Sequence, residues 1–228
     1  MKEKTNKIYK PRAFERTLIY IPIIHTQADM GALGESVRLA TLRKLGRNSW
    51  KRKVNLINKI WTTIEQATDD LDLPYEKVRL YQDGLPVCGR EAEIVTELAE
   101  NGNRNYQLLF RLMERGAIIM GTESPELLKE EYELVKKTLT ADHTLKSAKI
   151  KAYQKAKSDA LLKKRDRFIA TRINSTLGKG ETGILFLGML HSPEHHLDKD
   201  IHTVHLINRY HIVLGGGNDR VKRSCSGR

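Results

Sequence analysis

The chain has 228 residues, 39% of them apolar and 30% charged, and 40 Lys+Arg against 28 Asp+Glu give a formal charge of +12. This composition excludes a disordered polar chain and a collagen-like repeat, and Cys88 and Cys225 alone cannot make a disulfide framework or a thiolate zinc site. The longest apolar runs, such as 18–24, are too short to span a bilayer, and no apolar signal-peptide core follows Met1, so a cytoplasmic protein without membrane contact is expected.

Residues 18–24 form a short β-rich run ending at His25, with Pro22 confining it to an edge or to the strand's last residues. Gly31 and Gly34 punctuate a loop. Val54, Ile57, Trp61, Ile64 and Leu71 then recur at helical spacing, which predicts a helix over 49–71 with Trp61 in the core. A second strand covers 78–81 and turns through Gln82-Asp83-Gly84. Cys88, among apolar neighbours, reads as a buried and inert thiol.

Ile94, Val95, Leu98 and Ala99 make a second helical stripe, and Tyr106, Leu109, Phe110 and Met113 a third, stopped by Gly116. A third strand over 117–120 closes on Gly121-Thr122-Glu123. Ser124-Pro125-Glu126 opens the next helix with a cap, a proline in the first turn and an acid near the positive dipole end. Asp142 can cap a long Ala/Lys-rich helix reaching Leu177. A very apolar fourth strand covers 183–187, a fifth 204–207, and 212–214 adds a short sixth.

Strands alternating with helices predict an α/β fold with a largely parallel central sheet flanked by helices, one of them long. The expected organisation is a basic segment over 1–16, one domain over 17–214 and a basic tail over 215–228. In such sheets the ligand site lies off the carboxyl ends of the strands, and here those ends carry His25, Asp83, Glu123 and His191. The remaining histidines from His195 to His211 read as loop or surface residues.

The ordered segments Pro22-Ile23-Ile24-His25, Gly121-Thr122-Glu123-Ser124, Arg165-Asp166-Arg167-Phe168-Ile169-Ala170 and Gly188-Met189-Leu190-His191 resemble the TraB/Tiki superfamily, related to erythromycin-esterase and ChaN-like proteins. The resemblance covers about 17–208, with Pro22 in place of the first motif's glycine and Asp83 in place of a more usual glutamate. It implies an enzyme-like cleft and a hydrolase, either a metal-dependent peptidase or an esterase with a histidine base.

The residues themselves support either chemistry. Converging imidazoles and carboxylates can ligate a divalent metal (Mn, Co or Zn), with His25, Glu123 and His191 as the candidate ligands. Without metal, Asp83 or Glu123 can orient a histidine that deprotonates water. Arg165 then steadies an oxyanion or a substrate carboxylate, or else pairs with Glu123 or Asp83 to hold loops together.

Two other functions stay open. One is a non-catalytic ligand-binding or regulatory protein on the same fold, which the Pro22 and Asp83 departures favour. The other is nucleic-acid binding through the basic helix 145–173, although basic residues also crowd 1–16, 35–60 and 209–228, as solvated faces do. Partners expected are a small-molecule or peptide substrate and, through Ala148, Ala152, Ala156 and Ala160 at four-residue spacing, a second copy of the chain.

Overall fold

The computed structural model describes residues 15–25, 31, 33–140 and 148–207. The elements run β1 (Arg16–Ile23), α1 (Gly34–Leu45), α2 (Arg47–Asp69), β2 (Val78–Gln82), α3 (Glu91–Glu100), α4 (Arg104–Glu114), β3 (Ile118–Met120), α5 (Pro125–Thr140), α6 (Ala148–Thr176), β4 (Thr182–Gly188) and β5 (Ile201–His205). The strands make one 5-stranded parallel sheet in the order β3-β2-β4-β1-β5, so the α/β class read from the alternation holds. Parallel pairing puts every strand's carboxyl end on the same edge of the sheet.

Burial on both faces explains the continuous apolar runs of β1 and β4, which have no exposed residue. Alternate residues face opposite layers. Ile19, Ile21, Leu80, Ile184 and Phe186 pack with Trp61 and Ile64 of α2 and Leu108, Leu109 and Leu112 of α4. Leu18, Tyr20, Tyr81, Leu185 and Leu187 pack with Ile169 and Ile173 of α6. Trp61 is fully buried, as its spacing predicts, and its indole Nε1 donates to the Ile24 carbonyl at 3.2 Å, which pins the end of β1 beside His25.

Pro22 sits inside the sheet order yet costs the ladder nothing. The Tyr20 carbonyl accepts from Leu206 N at 3.2 Å on the β5 flank, and Pro22, two residues on, shares that flank. The β5 ladder has already ended at the Tyr20–His205 pair. The missing N–H therefore falls where no partner strand runs.

Several elements differ from expectation. Residues 34–45, read as loop, form α1; its only buried residue is Gly34, so it carries no apolar stripe to be read. Leu71 lies past the end of α2, and the buried residues of that helix fall in its second half. Cys88 is exposed rather than buried. Arg16, grouped with the basic N-terminal segment, begins β1 and pairs with Asp198 at 2.8 Å and Asp200 at 2.5 Å. Asp142, the sixth strand at 212–214 and the tail 215–228 lie outside the described residues, as do 1–14. No helix among the described residues is long and apolar enough to cross a membrane.

Candidate functional site

The carboxyl edge of the sheet brings together four strand ends. Asp83 follows β2, His25 follows β1, Glu123 follows β3, and Gly188 closes β4 ahead of His191. Arg165 and Asp166 join from α6, where a buried stripe of Leu161, Ile169 and Ile173 at four-residue spacing is interrupted by these two charged residues. All five sequence-predicted residues, His25, Asp83, Glu123, Arg165 and His191, therefore meet in one place.

Backbone contacts fix the two acids. Thr122 N and Glu123 N both donate to the Leu85 carbonyl at 3.0 Å, and Val87 N donates to the Glu123 carbonyl at 2.9 Å. This close approach requires glycine at 121, where a Cβ would stand 2.6 Å from Val87 Cα and 3.1 Å from the Pro86 carbonyl. Gly188 has a similar duty at the site itself. A Cβ there would lie 2.8 Å from Asp83 Oδ2 and 3.2 Å from His25 Nε2. The glycine of the Gly188-x-x-His191 motif is thus a space requirement: its N–H donates to Asp83 Oδ2 at 2.9 Å because nothing stands between them.

Asp83 accepts from three sides. His25 Nε2 lies 2.9 Å from Oδ2, Gly188 N reaches the same oxygen, and Arg165 Nη2 donates to Oδ1 at 2.8 Å. Arg165 also grips Glu123 with two donors, at 3.2 and 2.7 Å, and Glu131 of α5 at 2.5 Å. The guanidinium is thus committed to three carboxylates, which is the loop-holding pairing, and its pKa is raised, those acids outweighing its burial. His191 Nδ1 meets Asp166 Oδ1 at 2.6 Å, and Ser192 N donates to Asp166 Oδ2 at 3.1 Å. An ionised Asp166 only accepts, so Nδ1 carries the proton and Nε2 keeps its lone pair. That Nε2 stands 3.7 Å from Asp83 Oδ2.

Burial splits the two strand-end acids. For Asp83 it works upward, but the His25 hydrogen bond and the charges of His25, His191 and Arg165 outweigh it, and the carboxyl titrates below its ordinary range. For Glu123 burial wins over the Arg165 hydrogen bond and charge, and the pKa rises. One acid stays ionised while the other holds a proton more readily, which is how paired carboxylates divide acid and base roles. Asp83, Glu123 and Asp166 are all buried, against the single buried guanidinium of this cluster. With neutral imidazoles the cluster is left with excess negative charge, which favours a cation.

One group of ligand atoms could hold such a cation. Asp83, Glu123 and His191 each offer an atom within 4.8 Å of the other two, and all three residues are buried. This set takes Asp83 in place of His25, which was expected from the sequence. The His25 side chain is 37% exposed and touches Asp83 at the rim. Oxygen and imidazole donors of this kind suit a divalent first-row metal.

The cluster floors a cleft of about 560 Å³, walled by Ile23, Leu33, Tyr106, Leu128, Val135 and Leu162 among others. Asp166 and Glu131 were missed at the sequence stage of reading. Asp166 had a signal, since it follows Arg165 within the same quoted motif; Glu131 had none beyond a place on a helix surface. His195, His196, His202 and His205 are exposed, in line with their reading, and His211 lies outside the described residues. Comparison with protein-family models, curated proteins and solved structures finds no match to this chain.

Proposed function

We propose that the chain is a hydrolase of the TraB/Tiki type, acting on an acyl substrate in the cleft above Asp83, Glu123 and His191. The observation that carries this reading is the Asp166–His191 contact at 2.6 Å beside two buried acids of opposite pKa shift. Asp166 fixes the imidazole so that Nε2 is the atom offered to the cleft. His191 then takes a proton from the attacking water, and Glu123, whose pKa is raised, returns a proton to the leaving group. Asp83 stays ionised and holds His25 at the mouth. Arg165 acts as a positioning residue that holds Asp83 and Glu123 in place.

The donor set of Asp83, Glu123 and His191 fits a divalent cation, and the excess negative charge of the cluster supports it. Such a cation supplies Lewis acidity toward an acyl oxygen. A panel of chromogenic acyl esters and amides, assayed with and without added Mn²⁺, Co²⁺ or Zn²⁺, tests the reading. Turnover that falls at least 100-fold in His191→Ala supports it, and turnover indifferent to that change sinks it.

A second reading is a ligand-binding protein without turnover. It is favoured by the saturation of Asp83, which already accepts from His25, Gly188 and Arg165. Retained ligand affinity with no hydrolysis across the panel would select it.

A further inference from the structure

Among the described residues, three buried side-chain polar atoms have no hydrogen-bond partner: Asn105 Nδ2, Asn105 Oδ1 and Gln82 Oε1. Both residues line the cleft, and each is only 1% exposed. Neither is loosely placed. Asn105 is the second residue of α4, and its backbone N–H donates to Asn103 Oδ1 at 3.1 Å in the helix cap. Gln82 ends β2; its Nε2 donates to the Asp83 carbonyl at 3.0 Å and its backbone N–H to Thr122 Oγ1 at 2.9 Å. Folded proteins keep few buried polar atoms without partners, and all three here belong to the walls of one cleft.

The inventory is specific. The walls offer two acceptors, Asn105 Oδ1 and Gln82 Oε1, and one donor group, Asn105 Nδ2. A primary carboxamide presents the complement, two N–H donors on one nitrogen and one carbonyl acceptor. A carboxylate has no donor, so it would leave both acceptors unanswered and would also face the acidic floor. A hydroxyl supplies one donor where two are wanted. The surrounding wall is apolar, with Leu33, Leu128, Val135 and Leu162.

We propose that the cleft binds a neutral ligand with an aliphatic body and a terminal carboxamide, and that Asn105 and Gln82 are the residues that select it. This rests on the cleft being the functional site of the reading above, but not on turnover.

The test uses the full chain and small probes, with binding followed by saturation-transfer NMR. Hexanamide is expected to bind at least tenfold more tightly than hexanoate, with N-methylhexanamide between them. Asn105→Leu is expected to weaken hexanamide at least tenfold while melting no lower than wild type, because it removes an amide with no partner. Gln82→Met serves as the second variant and is expected to weaken hexanamide several-fold. Equal binding of hexanoate and hexanamide overturns the proposal. So does an Asn105→Leu protein that loses stability but keeps its affinity, since Asn105 would then be structural. Probe binding is read whether or not any ester or amide is hydrolysed, so failure of the hydrolase reading registers separately.

Discussion

Asp166 and His191 lie 25 positions apart in sequence, and their side chains meet at 2.6 Å. The contact joins α6 to the turn after β4 and decides which imidazole nitrogen carries the proton. A carboxylate placed behind a histidine in this way raises its basicity and fixes its ring. Asp166→Asn keeps the size and removes the charge, and its amide nitrogen cannot accept from Ser192 N as Oδ2 does. We expect it to lower metal affinity or turnover about 10–100-fold. Calorimetric Mn²⁺ titration beside a circular-dichroism melt checks this, because the fold should be retained.

Gly188→Ala tests the space argument. The added Cβ would stand 2.8 Å from Asp83 Oδ2, a short and buried carboxylate that cannot swing away without leaving Arg165. The expected loss is about 1–3 kcal/mol in urea unfolding, the range for an overpacked site. Metal affinity or turnover should fall with it. A wild-type stability curve would show that Asp83 has room to move.

Arg165→Met leaves Asp83 and Glu123 buried without their cation. Removing one partner from a buried pair costs roughly 3–5 kcal/mol. The deficit should depend on pH. Burial already raises the Glu123 pKa, and losing Arg165 raises it further. A folded pKa above the unfolded one favours the folded state below the unfolded value and loses that advantage as pH rises through the folded value. The variant should therefore approach wild type as pH falls toward 5, which urea midpoints at several pH values will show.

Tyr81 gives a pH test away from the acids. Burial against α6 pushes its pKa up to about 12, more than the Thr176 hydrogen bond lowers it. The unfolded phenol ionises near 10. Its contribution is therefore complete below pH 10 and is lost as pH rises from there through about 12. That loss amounts to roughly 2–3 kcal/mol. Tyr81→Phe should cost about 0.5–1.5 kcal/mol at neutral pH through the lost hydrogen bond and flatten the alkaline limb. An unchanged alkaline limb would contradict the burial account.

How far the sequence led depends on which physical signal each residue leaves. Residues 183–187 are apolar without a break, and that pattern marks a strand covered on both faces, as β4 is. Polar residues after such strands mark the site edge, so His25, Asp83, Glu123 and His191 were legible by position alone. The pairings were not. Asp83 rather than His25 joins Glu123 and His191 because Gly188 lets the Asp83 carboxylate sit against the β4 backbone, a packing fact with no sequence period. The helix α1 left no stripe because it buries no side chain. Cys88 looked buried among apolar neighbours, yet it sits beyond β2 in an exposed turn whose backbone N–H groups reach Glu91. Asn105 and Gln82 matter through missing partners, and a missing partner is visible only in three dimensions.

The central claim is that Asp83, Glu123 and His191 form one cation-holding centre. Titrating the full chain with Co²⁺ and following its visible absorption tests that claim most directly. The account predicts one equivalent bound at micromolar concentration, with His191→Ala and Asp83→Asn each weakening it at least tenfold in a protein that still folds. Absence of any Co²⁺ spectrum, or a spectrum unchanged by both substitutions, would contradict it.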